Sequence, residues 1–154
     1  MNNNLIECFL LVGLPASGKS TFSKRLATSK NALIISTDNI RKMLNKDETK
    51  QGDWKEIERV LHDSIFQSIS KGQSVIIDAT HTVREHRKIL INLSSRINWT
   101  CYFLNTDKQT CIKRNLERSR TVPKHVIESM ANQLELTPPK KVEGFKKLYE
   151  INLK

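Results

Sequence analysis

The chain has 154 residues and carries 26 basic against 16 acidic side chains, a formal charge of +10. That length corresponds to one ordinary domain with room for one sizeable core. No apolar run approaches the roughly 18 residues that span a bilayer, and the start MNNNLIECFLLVG has no basic n-region, so neither a membrane span nor a signal peptide is expected. Cys8, Cys101 and Cys111 lack metal-ligand spacing and read as reduced residues of a cytoplasmic protein. The positive charge points to a polyanionic partner, nucleic acid first. A solvated lysine-rich surface would account for the charge alone equally well.

The elements alternate along the chain. Leu5 to Val12 is a short continuous apolar run and reads as a buried parallel strand. Lys19 to Ser29 reads as a helix, with Phe22 and Leu26 one turn apart, and Ala32 to Ser36 as a second strand. A short helix NIRKML follows. After the polar stretch NKDETKQG comes a longer helix, Asp53 to Lys71, whose Trp54, Ile57, Leu61, Ile65 and Ile69 recur at helical spacing; Gly72 ends it. Ser74 to Ala79 is the third strand, Arg84 to Ile97 a helix, and Trp99 to Asn105 the fourth strand. Thr106 with Gln109 forms a capping box for the next helix, which holds Cys111, Ile112 and Leu116. Pro123 fits the first turn of another helix, with Val126, Ile127, Met130 and Leu134 on one face. TPPK breaks that helix. KLYEINL reads as a fifth, edge strand, with a terminal helix as the alternative.

This alternation predicts a single α/β domain over 1–154: a parallel five-stranded sheet with helices on both faces. Ligands of such sheets bind beyond the carboxyl ends of the strands. After the first strand, GLPASGKST matches the P-loop pattern at every fixed position, Gly13, Gly18, Lys19 and Ser20, in its required context of strand before and helix after. The loop from Gly13 to Thr21, with Pro15, Ala16 and Ser17 among its residues, would cradle the phosphates of ATP or another NTP through the backbone N–H groups of its non-proline residues. Lys19 would reach the β- and γ-phosphates, and the Ser20 hydroxyl would ligate Mg²⁺. NKDE at Asn45 approaches a guanine-selecting motif but departs at its last position and lies too early, so it reads as a polar loop.

The second strand delivers Thr37 and Asp38, with Arg41 one turn on. Asp38 is a candidate general base for an attacking hydroxyl and Arg41 a candidate anion contact. The alternative is a helix N-cap at Asp38 with a surface i,i+3 pair to Arg41. The third strand ends in VIIDATH, which makes Asp78 a candidate Mg²⁺ ligand, directly or through water, with Thr80 and His81 beside it. His81 has no second His or Cys near it in sequence and reads as structural or substrate-contacting. Lys113, Arg114, Arg118 and Arg120 lie within eight positions; Arg114 and Arg118 share a helix face and would stabilise a phosphoryl transition state from a lid at about 113–123.

Together these residues resemble the P-loop 5′-hydroxyl polynucleotide kinases, the kinase domains of nucleic-acid end-healing enzymes. The resemblance runs from GLPASGKST to about Leu134. It rests on the Gly-x-Pro-x-x-Gly-Lys-Ser loop with Pro15, on Asp38 followed three positions later by Arg41, on DATHTVREHR, and on the lid pattern of Lys113, Arg114, Asn115, Arg118, Val122 and Pro123. The resemblance implies a P-loop kinase three-layer sandwich with strand order 2-3-1-4-5 and a helical lid, and that Asp38 activates a 5′-hydroxyl. It gives Arg41 the acceptor's neighbouring phosphate, has Lys19, Arg114 and Arg118 stabilise the transferring group, and packs Pro123 and Val126 against the terminal nucleobase. That family's loop after strand three varies between SDTN and DATN forms, so Asp78 carries less weight than Asp38. Phosphatase or ligase partners, often fused in that family, are expected as separate proteins. The loop itself is shared with small-molecule and zeta-toxin-like kinases. The alternatives are therefore a kinase for a small metabolite or sugar nucleotide, or a non-catalytic NTP-dependent nucleic-acid-binding subunit.

Overall fold

The central strand, β1 (Ile6–Val12), is buried from Cys8 onward. In the computed structural model, which describes residues 4–44, 54–119 and 121–152, it is followed by α1 (Lys19–Lys30), β2 (Leu33–Ser36), α2 (Thr37–Met43), α3 (Trp54–Ser70), β3 (Val75–Asp78) and α4 (Arg84–Ile91). Then come β4 (Ile97–Leu104), α5 (Lys108–Leu116), α6 (Lys124–Leu136), a 3-10 turn (Lys141–Glu143) and β5 (Lys147–Ile151). All strand pairs are parallel, as the alternation predicts, and the order is β2-β3-β1-β4-β5, as the resemblance implies. The NKDETKQG stretch, the expected helix start at Asp53 and Arg120 lie outside the described residues.

Both faces of β1 are covered, which is why it reads as a continuous apolar run rather than an alternating one. Cys8, Leu10 and Val12 face the larger core, with Ile57, Leu61, Ile65 and Ile69 of α3 and Ile127, Met130 and Leu134 of α6. Phe9 and Leu11 face the other way, with Ile76, and meet Leu26 and Phe22 of α1. Phe9 stands in register with Ile76 on one side and Thr100 on the other. This register brings the carboxyl ends of β1, β2 and β3 to one edge of the sheet.

Two local expectations are corrected. The helix expected over Arg84 to Ile97 stops at Ile91, and Ile97 is the buried first residue of β4, in register with Ile6. An isolated apolar residue fits either period, and strand pairing decides its state. Asp107, not Thr106, caps α5: its carboxylate accepts from the Thr110 N–H at 2.9 Å and hydroxyl at 2.6 Å. Thr106 is buried and donates to the Ser17 carbonyl at 2.8 Å, so its hydroxyl serves the loop after β1 instead. The last segment is the edge strand expected of it, paired with β4 from Lys147 to Ile151, and the helical alternative falls away.

Candidate functional site

The loop after β1 curls because two of its residues take left-handed backbone, Ala16 at φ 63° and Gly18 at φ 103°. Gly13 is needed for a different reason: a Cβ there would stand 2.8 Å from Ser17 Oγ and 3.0 Å from the Leu104 carbonyl. The loop is tied down by the Gly13 N–H to the Thr80 carbonyl at 3.1 Å, and by Thr106 to Ser17. Gly18 is the N-cap of α1 and no side chain caps the helix. The unsatisfied N–H groups of that 12-residue helix are therefore available to an anion.

Lys19 is buried and its Nζ donates to the carbonyls of Leu14 at 2.7 Å and Gly13 at 3.1 Å. Burial holds its pKa below the ordinary lysine value, against the opposing pull of Asp78 and Asp38. The Ser20 hydroxyl donates to Asp78 Oδ2 at 3.2 Å, which joins the helix after β1 to the end of β3. Burial raises the Asp78 pKa, and the Lys19 charge works in the other direction. A hydroxyl and a carboxylate within this distance form an oxygen donor set that suits a hard cation. Among the described residues there is no group of three or more His, Cys, Asp and Glu that could hold a metal alone.

Ser36, rather than Asp38, is the N-cap of α2, its hydroxyl accepting from the Asn39 N–H at 3.3 Å. That removes the capping alternative for Asp38. Its carboxylate instead pairs with Arg41 at 3.2 Å. The Arg41 side chain is 8% exposed and that of Asp38 is 43% exposed, so the pair is half-buried, with its arginine inside and its carboxylate open to solvent. A cavity of about 390 Å³ opens over the loop, lined by Pro15, Ala16, Gly18, Lys19, Ser20 and Thr21, and by Asp38, Arg41, Asp78, Thr80, Arg114 and Arg118. Gly13 and Ser17 are buried behind it.

A second cavity, about 380 Å³, adjoins the first, and Thr37, Arg41, Ala79, Thr80 and Met130 line both. His81 and Val126 line the second, but Pro123 lines neither; it is the N-cap of α6. The second cavity also holds residues that sequence reading missed. Trp54 stacks on His86 with ring centroids 4.9 Å apart. Thr82 donates to the Gln133 carbonyl oxygen at 2.6 Å, which leaves that amide's NH₂ as a donor. Trp54 lies on an apolar helical stripe and reads from sequence as core, His86 falls within DATHTVREHR but with no role of its own read there, and Gln133 carries no local signal.

His81 is buried with φ 46°, and Arg87 donates to its carbonyl at 3.0 Å. Burial, aided by the charges of its basic neighbours, pushes its pKa down to about 3, so the ring is neutral near pH 7. Arg87 is itself fully buried and pairs with Glu143 at 2.8 Å. No helix among the described residues is long and apolar enough to cross a membrane.

The AAA_33 family, an AAA domain, matches residues 9–137. The chain is 34% identical over 138 residues to the L-seryl-tRNA(Sec) kinase of Methanococcus maripaludis, covering 82% of this chain and 51% of that protein. It therefore spans about half the length of this relative. Among solved structures, a chain of the Pnkp1/Rnl/Hen1 RNA repair complex matches with a TM-score of 0.77 at 23% identity, over 87% of this chain and 45% of that one. Chaetomium thermophilum Kti12 in complex with ADP-AlF3 matches with a TM-score of 0.74 at 15% identity, over 96% and 89%. At these identities the two structures show a common fold.

Proposed function

The chain belongs to the AAA_33 family of AAA domains and has the P-loop kinase fold; from that premise we propose that it transfers the γ-phosphoryl group of ATP, or another NTP, to the 5′-hydroxyl end of RNA or DNA. The observation that carries this reading is the Asp38–Arg41 pair. Asp38 lines the cavity over the phosphate loop, while Arg41 lines both that cavity and the aromatic-walled one next to it. A donor and an acceptor seated in the two cavities would meet at this pair.

In this reading Asp38 takes the proton of the attacking hydroxyl as its oxygen bonds to the γ-phosphorus and the bond to the β-phosphate oxygen breaks. Lys19 leaves the carbonyls of Gly13 and Leu14 for the phosphates, and Arg114 and Arg118 spread their charge over the transferring group. Ser20 and Asp78 would hold Mg²⁺, Asp78 directly or through water, and the ion when bound neutralises phosphate charge. Arg41 holds an anion of the acceptor, Thr80 and His81 line its path, and Val126 packs on its terminal base. The geometry supports Val126 more than Pro123 in that role. Residues 113–123 act as the lid of one domain spanning 1–154.

A second reading is favoured by the 34% identity to a kinase named for L-seryl-tRNA(Sec): the acceptor hydroxyl would then belong to an aminoacyl group on RNA. ATP labelled at the γ-phosphate tests both. Label appearing on a 5′-hydroxyl oligonucleotide supports the first reading, and label on seryl-tRNA supports the second. Label on members of a sugar and metabolite panel, or on no acceptor, rejects both.

A further inference from the structure

We propose that Asn115 is a positioning residue, a clasp between α5 and α6 that holds Arg118 over the phosphate loop. This rests on the phosphoryl-transfer reading above. Asn115 is buried near the end of α5, and both ends of its amide engage one residue seven positions on. Its Nδ2 donates to the Val122 carbonyl at 2.7 Å, and its Oδ1 accepts from the Val122 N–H at 3.0 Å. The pair imitates one rung of a β-ladder. A carboxamide supplies donor and acceptor together; an ionised carboxylate has only acceptors, and an apolar side chain has neither.

Among the described residues of the enclosed segment, few other bonds hold it. Leu116 and Glu117 are exposed. Its described backbone bonds are short-range ones off the end of α5, Glu117 to Arg114 at 3.1 Å and Arg118 to Asn115 at 3.3 Å. Yet Arg118 and Val122 both line the cavity over the phosphate loop. Asparagine is a poor helix former, so its place on α5 is explained by the clasp rather than by propensity. With the clasp closed, Val122 is pinned to α5 and the turn carrying Arg118 spans a fixed gap. Without it, α5 and α6 keep their core contacts through Cys111 and Ile127, and the turn between them gains freedom.

The test is a double-mutant cycle on phosphoryl transfer under saturating acceptor. Asn115→Ala is expected to lower kcat about tenfold with the ATP KM nearly unchanged, and to add almost nothing once Arg118→Ala is present, because contacting groups are non-additive. Additive losses in the double variant would overturn the proposal. Asn115→Asp, which keeps the size and the acceptor but loses the donor, is expected to fall between wild type and Asn115→Ala and guards against a misfolded alanine variant. Limited trypsin digestion needs no acceptor: cleavage after Arg118 should be several-fold faster in both variants, and an unchanged rate would refute the clasp. If wild type phosphorylates no nucleic acid, the acceptor reading fails by itself. The cycle is then read on slow ATP hydrolysis, where additivity again overturns the proposal.

Discussion

Asp38 and Arg41 are three positions apart on α2 and bond to each other, yet they are expected to fail differently. Asp38→Ala should reduce phosphoryl transfer by about 10²–10⁴-fold, the usual range for a positioned acid or base. ATP affinity by calorimetry should hardly change, because the phosphate cradle is made by backbone and Lys19. Wild-type turnover would remove Asp38 from the chemistry. Arg41→Ala should raise the acceptor KM more than the ATP KM, since Arg41 lines the second cavity as well as the first. His81 carries a prediction about pH. Its folded pKa of about 3 lies below the ordinary 6.5, so the unfolded chain binds the proton first. Its contribution to stability is complete above about pH 6.5 and is lost as the pH falls towards about 3. His81→Asn tolerates the same left-handed backbone and should lose less stability than wild type between pH 7 and pH 4 in urea unfolding; equal losses would reject this assignment. The phosphate loop, Asp38 and Arg41 were legible because their spacing is local. Trp54, His86 and Gln133 were not, because each owes its place to neighbours far along the chain.

Among the elements, chain order was legible nearly everywhere and the ends were not. Helix and strand periods announce themselves over a window of residues, whereas an end depends on one or two contacts. Ile97 went to β4 because Ile6 lies beside it, and Thr106 lost its capping role because the Ser17 carbonyl lies within its reach. The same holds for the ion pair that joins α4 to the 3-10 turn. Arg87 donates to Glu143, to the His81 carbonyl and to the Thr137 carbonyl, all in the interior. Nothing in the local pattern around Arg87 distinguishes it from a surface arginine on a polar helix. Glu143→Leu would leave that guanidinium buried without its counter-charge, and should cost about 3–5 kcal/mol in chemical denaturation. A loss below about 1 kcal/mol would be typical of an exposed pair instead.

Taken whole, the molecule puts a charge of +10 on a domain whose candidate site handles phosphate. If the acceptor is a polynucleotide, oligonucleotide affinity should fall steeply with salt, with a log–log slope of about −0.7 for each phosphate contacted on a single strand. Filter binding between 50 and 200 mM salt, roughly the range over which such contacts are felt, measures it. A flat response would return the charge to a merely solvated surface. The amino-acid sequence by itself determined the alternation of strands and helices, hence parallel pairing, and the phosphate loop, because each rests on periodicity or spacing within a few residues. Only the tertiary structure decided which side chains share a cavity. Parallel strands are joined by long crossovers, so residues that meet at one sheet edge are separated by tens of positions, and no local pattern records that Arg41, Met130 and Thr80 line the same two cavities.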